Sequence, residues 1–158
     1  MDISPQQIIN LALKKQLRIS IAESCTGGLL TASLTEIPGS SEVIDRGYVT
    51  YSNLSKVELL NVKKSTLDKH GAVSAETAQE MALGALEKSD SQLSISITGV
   101  AGPNHSEQKV VGLVYFGWAG TQIPNESEYV NFGNLDRQVI RLRSVDYAVN
   151  ILYRFLKI

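Results

Sequence analysis

Residues 18–34 read RISIAESCTGGLLTASL and carry the clearest indication of the fold. The segment Arg18–Glu23 is short and β-like, and Leu29–Leu34 has the composition of a short helix. Between them, Ser24–Gly28 ends in two glycines, which allow a tight turn and a close approach of the backbone to a ligand. We therefore predict a strand, a turn and a helix, the unit from which α/β domains are built.

Strands and helices continue to alternate along the rest of the chain. We predict strands at Gly47–Tyr51, Leu93–Thr98, Val110–Ala119 and Ser127–Phe132, and long helices at Ser74–Lys88 and Asp136–Lys157. The last two strands have no helix between them, so they are expected to pair as a hairpin. The prediction is a single domain over residues 1–158, an α/β layered αβα sandwich with a mostly parallel, mixed sheet.

Composition narrows the classes of partner. The 158 residues include 15 Lys and Arg against 16 Asp and Glu, so no bulk field favours nucleic acid or an anionic membrane. A membrane span needs about 20 apolar residues, and the longest apolar run, Val110–Ala119, is much shorter. Met1–Pro5 lacks the pattern of a signal peptide. We expect a cytoplasmic domain with no nucleic-acid or membrane partner.

Cysteine and histidine are scarce. One cysteine, Cys25, and two histidines exclude an internal disulfide and any multi-thiolate or histidine-rich metal site, so no metal ligands are predicted. They also argue against a Ser-His-Asp arrangement. The stretch Ser106–Lys109 matches Ser-x-x-Lys but lies in an expected loop rather than at a helix start, and we interpret it as a chance match.

The turn Ser24–Gly28 is the first candidate for chemistry, because ligands of open α/β sheets gather beyond the carboxyl ends of strands. Its hydroxyls, thiol and glycines at a helix N-terminus suit a phosphate or an oxyanion. The alternative is a structural turn with a Ser or Thr cap. Glu23, as the last residue of the strand, is expected to orient the turn rather than to act as an acid or base.

Lys56 is the second candidate. It lies in the first turn of a helix capped by Ser52 or Asn53, where the helix dipole repels a cation. With burial, this position lowers a lysine pKa and supplies the neutral amine that a serine nucleophile needs. The alternative is an ordinary lysine with its ammonium in water.

Two further groups suit an anion. Gly99, Ala101 and Gly102 lie in a turn after a strand, where successive N–H groups form a nest. Arg137 and Arg141 are four residues apart on one helix face and suit a phosphate. The alternatives are a plain turn and a solvated helix face.

These segments occur in one order over nearly the whole chain: AESCTGG at 22–28, RGYVTYSN at 46–53, Lys56, HGAVS at 70–74 and TGVAGP at 98–103. Together they resemble the CinA C-terminal domain family. The resemblance implies hydrolysis of the carboxamide of nicotinamide mononucleotide to nicotinate mononucleotide and ammonia, with no metal or organic cofactor. It also implies a homodimer or higher homo-oligomer.

The resemblance assigns the catalytic serine to Ser24 and its acid–base partners to Tyr51 and Lys56. Lys56 is expected to accept the Ser24 proton directly or through Tyr51. The N–H groups of Thr26, Gly27 and Gly28 are expected to hold the oxyanion. Contacts to the nucleotide substrate are expected from Asn53, Gly99, Ala101, Gly102, Arg137 and Arg141.

Two departures from the family pattern concern substrate contacts rather than the catalytic group. The loop after Pro103 is short and lacks paired glycines, and the family's Gly-Asp-Arg is stretched to Gly133–Arg137. Two other functions stay open at this point. One is a non-catalytic nucleotide- or phosphate-binding module, which has no need for a lysine of lowered pKa. The other is a hydrolase that uses Cys25, which a thiol reagent would inactivate.

Overall fold

A mixed five-stranded sheet forms the centre of the structure. The computed structural model describes residues 2–158, with β1 at Ile19–Glu23, β2 at Ile44–Val49, β3 at Leu93–Gly99, β4 at Leu113–Gly120 and β5 at Glu126–Asn131. The strand order is β2-β1-β3-β4-β5. β1 pairs in parallel with β2 and β3, whereas β4 is antiparallel to β3 and β5. The predicted mixed sheet and its terminal hairpin are confirmed, with two parallel and two antiparallel pairs.

Helices cover both faces of the sheet, as predicted for an αβα sandwich. On one face α1 (Pro5–Lys15), α2 (Leu29–Thr35) and α6 (Arg137–Leu156) pack together over the larger apolar core. On the other face lie α3 (Asn53–Leu60), α4 (Lys64–His70) and α5 (Ala75–Glu87). Within residues 2–158, no helix is long and apolar enough to cross a membrane.

Buried serines attach α5 to the sheet. Three strand hydroxyls donate to carbonyl oxygens of this helix: Ser20 to Ala85 at 3.1 Å, Ser94 to Ala82 at 2.6 Å and Ser96 to Ala78 at 2.6 Å. The alternation of apolar and polar residues that predicts β3 usually marks one solvated face. Here the polar face is covered by a helix whose carbonyls satisfy each hydroxyl, so β3 is buried on both sides.

The carboxyl ends of β1, β2 and β3 meet at one edge of the sheet, because the three strands are mutually parallel. Glu23, the last residue of β1, pairs with Val49 of β2 and with Ile97 of β3. The segments that follow these strands therefore start side by side. The turn at Ser24, the start of α3 and the turn after Gly99 share this edge, as predicted.

The close packing of α5 predicts a strong effect of Gly117→Ala. A Cβ at this position of β4 would overlap the backbone carbonyl of Ala78 in α5. We expect a loss of about 3 kcal/mol in the free energy of unfolding, measured by urea denaturation. Gly133→Ala is the control, because its Cβ would meet nothing within 4 Å and its φ of +88° is the remaining cost, about 1 kcal/mol. Equal losses in the two variants would contradict this account of the packing.

Candidate active site

A cavity of about 340 Å³ lies at the edge where β1, β2 and β3 end. That volume is in the range of small-molecule sites. Of the residues predicted from sequence, those that line it are Ser24, Tyr51, Asn53, Lys56, Gly99, Ala101, Gly102 and Arg137. Four other predicted residues, Thr26, Gly27, Gly28 and Arg141, are not part of its wall. The structure thus brings together residues that are far apart in the chain.

The amine of Lys56 contacts the hydroxyl of Ser24 directly. Nζ donates to Ser24 Oγ at 3.0 Å, to the Thr50 carbonyl at 2.8 Å and to the Tyr51 carbonyl at 3.3 Å. All three acceptors are uncharged oxygens. This geometry fits a serine nucleophile with a lysine base, since the two atoms are within proton-transfer distance.

Burial lowers the pKa of the Lys56 amine. The side chain is 1% exposed, and desolvation brings its pKa from 10.5 to about 8, although the charges of Cys25 and Glu107 act in the opposite direction. A substantial fraction of the amine is therefore neutral near physiological pH. The alternative of a solvent-exposed lysine is excluded by this burial.

Local structure explains why Lys56 points inward. Ser52 caps α3 by accepting from the Ser55 N–H at 3.1 Å, which fixes the start of the helix just after β2. Lys56 then falls in the first turn, where Nζ reaches back to the carbonyls of Thr50 and Tyr51. The cap prediction is confirmed for Ser52.

Glu23 holds the turn that carries Ser24. Its buried carboxylate accepts from the N–H groups of Leu30 at 2.9 Å and Thr31 at 3.0 Å, and from the Thr31 hydroxyl at 2.8 Å. A carboxylate at this end of α2 also suits the helix dipole. The expected orienting role of Glu23 is therefore confirmed.

The remaining residues of the turn are occupied by structural hydrogen bonds. The Gly27 N–H donates to the Ser24 carbonyl at 3.0 Å. Arg141 donates from Nε to the Cys25 carbonyl at 3.0 Å and from Nη2 to the Thr26 carbonyl at 3.1 Å. Arg141 thus fastens α6 to the turn. The oxyanion role of Thr26, Gly27 and Gly28 stays a prediction.

Arg137 and Tyr51 form a link at the rim of the cavity. Arg137 donates from Nη1 to the Gly102 carbonyl at 2.7 Å and from Nη2 to the Tyr51 hydroxyl at 2.9 Å. The Tyr51 side chain is 60% exposed. Lys56 contacts Tyr51 through the backbone carbonyl, so the tyrosine hydroxyl is not interposed between Lys56 and Ser24.

The thiol of Cys25 is poorly suited to act as a nucleophile. Burial raises its pKa to about 11, and the nearby cations Arg141 and Lys56 offset this only in part. The reactive thiolate is therefore scarce near neutral pH. This observation weakens the interpretation of the chain as a cysteine hydrolase.

Glu107 is a cavity residue that the sequence did not indicate. Its carboxylate accepts from the N–H groups of Ala72 at 2.8 Å and Val73 at 3.2 Å, and from Lys109 Nζ at 3.3 Å. The left-handed Gly71, with φ of +78°, allows this approach, since a Cβ there would overlap the carboxylate. Gly71, which precedes the Ser74 cap of α5, indicates in the sequence that something approaches the backbone closely here. The sequence does not show that the approaching group is Glu107.

Across residues 2–158, no group of three or more His, Cys, Asp or Glu side chains is placed to hold a metal ion. The charged side chains of the cavity wall in this range are Lys56, Glu107 and Arg137. The cavity wall thus combines the Ser24 hydroxyl with a partly neutral amine, a guanidinium and a carboxylate.

The sequence of this chain matches a known family model. The model of the CinA C-terminal domain matches residues 2–156. A protein described as competence-damage inducible, from Caldicellulosiruptor bescii, is 49% identical over 146 residues, which are 92% of this chain and 35% of the relative. The chain thus spans about a third of the length of such relatives.

Two other similar proteins match over nearly their whole length. The nicotinamide-nucleotide amidohydrolase PncC of Enterobacter agglomerans is 43% identical over 152 residues, 94% of this chain and 92% of the relative. The crystal structure of the competence/damage inducible protein CihA from Agrobacterium tumefaciens has a TM-score of 0.88 at 40% identity and covers 100% of both chains.

The depressed pKa of Lys56 predicts a measurable pH dependence of stability. The folded state binds fewer protons than the unfolded state between pH 8 and 10.5, because burial lowers the pKa of the amine. Burial of the charged Lys56 amine therefore destabilises the folded state fully below pH 8, and this destabilisation disappears as the pH rises to 10.5. Relative to Lys56→Met, the free energy of unfolding of the wild type should increase by about 3 kcal/mol across this interval.

Urea denaturation at several pH values measures this difference, with the exposed Lys64→Met as the control. The stability difference between the wild type and the control variant should stay constant over the same pH interval. A constant difference for Lys56→Met as well would show that the amine is not desolvated in the folded protein.

Proposed function

Because the chain belongs to the CinA C-terminal domain family, we propose that it is an amidohydrolase acting on nicotinamide mononucleotide. The products are nicotinate mononucleotide and ammonia. The observation that carries the proposal is the 3.0 Å contact between the buried Lys56 amine and the Ser24 hydroxyl. The similarity to a protein named nicotinamide-nucleotide amidohydrolase supports the choice of substrate.

The first half of the reaction forms an acyl-enzyme. Neutral Lys56 takes the proton of Ser24 Oγ as this oxygen attacks the carboxamide carbon. The resulting tetrahedral intermediate collapses when the Lys56 ammonium returns that proton to the departing nitrogen. Ammonia leaves, and the acyl group stays on Ser24 as an ester.

The second half of the reaction releases the acid. Lys56 is neutral again and takes a proton from water as the water oxygen attacks the ester carbon. Lys56 then returns this proton to Ser24 Oγ, and the product acid loses its remaining proton to solvent and leaves as the carboxylate. One base therefore serves both halves, which suits an amine whose pKa of about 8 lies close to the working pH.

Tyr51 acts in this scheme as a positioning residue. Its carbonyl accepts from Lys56 Nζ, and its hydroxyl accepts from Arg137 at the rim. Proton transfer is direct, because Nζ and Oγ are in contact. Arg137, together with the turn at Gly102 to which it is bonded, is the proposed site of the substrate phosphate.

Asn53, Gly99 and Ala101 line the same cavity and keep their proposed place in substrate binding. The cytoplasmic location and the homo-oligomer also stay proposals. A non-catalytic binding module is the second function considered. It has no use for a buried amine that costs folding free energy, so the pKa of Lys56 favours the enzyme.

The nucleophile assignment predicts opposite results for two neighbouring substitutions. Ser24→Ala should lower ammonia release from nicotinamide mononucleotide by at least ~10³-fold, because no oxygen remains to form the acyl-enzyme. Cys25→Ser should keep activity within about fivefold, since its buried thiol takes no part. The assay is ammonia release without added metal, with circular dichroism to verify folding.

The reverse pattern, with an inactive Cys25→Ser and an active Ser24→Ala, would establish a cysteine hydrolase. An inactive wild type that still binds the nucleotide tightly would establish the binding module. Either result would overturn the proposed function.

The base assignment predicts the pH profile. The kcat/KM of the wild type should rise with pH by about tenfold per unit below pH 8 and level off above it, because only the neutral amine accepts the proton. Initial rates between pH 6.5 and 9.5 measure this profile. A profile that is flat through pH 8 would show that Lys56 is not the base.

A further inference from the structure

The cavity wall carries both positively and negatively charged side chains. Cationic Arg137 lines it near the Gly102 turn, and anionic Glu107 lines it from the loop that follows Pro103. Lys56 is the remaining charged side chain of the wall among residues 2–158. A ligand with a negative group at Arg137 meets a carboxylate elsewhere in the same cavity wall, beside the Lys109 ammonium that contacts one carboxylate oxygen at 3.3 Å.

Hydrogen bonds fix the position of the Glu107 carboxylate. Two backbone N–H groups, of Ala72 and Val73, hold one oxygen each. Lys109 approaches one oxygen from outside the cavity and donates as well to the carbonyls of His70 and Val73. These bonds span the gap between the loop and the α4–α5 turn, so the carboxylate is fixed although it belongs to a loop.

The same hydrogen bonds keep Glu107 charged. Burial alone would raise the pKa of this carboxyl, but the Ala72 and Val73 N–H groups and Lys109 lower it below its ordinary value. The negative charge of Glu107 also reaches the reaction centre, where it acts to raise the pKa of Lys56. A charge felt at the base is also felt by a ring whose carboxamide lies against Ser24.

On the basis of the proposed function, we infer that Glu107 is a specificity-determining residue that recognises the cationic pyridinium ring of the substrate. In nicotinamide mononucleotide the ring nitrogen carries the ribose and a positive charge, whereas free nicotinamide is neutral. A carboxylate fixed in the cavity stabilises the cation and favours the N-ribosylated form. Arg137 and Glu107 together match a ligand that carries phosphate and pyridinium charges on one molecule.

The test compares two ligands of nearly the same shape. Nicotinamide mononucleotide has a cationic ring, and its 1,4-dihydro form has a neutral ring with the same carboxamide, ribose and phosphate. Titration calorimetry with Ser24→Ala measures both Kd values without turnover. We expect Ser24→Ala/Glu107→Gln to weaken binding of the cationic form by about tenfold and binding of the dihydro form by less than twofold.

Lys109→Met in the Ser24→Ala background is the matched control. It loosens the same loop, leaves the Glu107 charge and removes the cation beside it, so it should not weaken binding of the cationic form more than binding of the dihydro form. If Glu107→Gln weakens both ligands equally, the carboxylate binds a ribose hydroxyl or only holds the loop, and the inference is wrong. Unchanged Kd values for Glu107→Gln would overturn it as well.

Failure of this inference is distinguishable from failure of the proposed function. A wild type that releases ammonia from nicotinamide mononucleotide, with a Glu107→Gln variant that keeps the same ratio of Kd values, removes only the role of Glu107. A wild type that releases no ammonia overturns the proposed function, and the inference with it.

Discussion

The site depends on burying the Lys56 amine beside Ser24 without a counter-charge in contact. The three acceptors of Nζ are a hydroxyl and two carbonyls, so no carboxylate bonded to the amine holds it in the charged form. Desolvation then sets its basicity. This arrangement requires the parallel pairing of β1 and β2, because the acceptors come from the segments that follow these two strands. A chemical property of one side chain thus follows from the topology of the sheet.

The proposed nucleophile, Ser24, lies in a turn that is held by residues outside the cavity wall. Glu23 binds the first turn of α2, and Arg141 binds the carbonyls of Cys25 and Thr26 from α6. Arg141 is thereby a structural residue, although its spacing from Arg137 fits a shared phosphate site. The two arginines lie four residues apart on one helix face. Their side chains nevertheless diverge, one toward the rim of the cavity and the other toward the turn, and spacing on a helix does not determine that choice.

Most of the fold could be predicted from sequence, because strand and helix periodicities and the caps at Ser52 and Ser74 are local signals. The meeting of Ser24 and Lys56 also follows from local signals, once the strands they succeed are taken as parallel neighbours. The role of Glu107 does not follow. Its contacts join a loop to a turn 34 and 35 residues away, and they depend on the conformation of both. The burial of Ser94 and Ser96 in β3 does not follow from sequence either, because their hydroxyls bind backbone carbonyls of α5.

Two opposing influences act on the basicity of Lys56, and both are geometric. Burial lowers its pKa, and the charges of Cys25 and Glu107 act against this. If a cationic ring lies beside Glu107, it offsets the negative charge of this carboxylate and reduces its effect on the pKa of Lys56. The pKa of Lys56 then falls further when substrate is present, and a larger fraction of the amine is neutral. A neutral ring would leave the charge of Glu107 in place. Glu107, which we propose selects the substrate, thereby also links substrate binding to the pKa of Lys56.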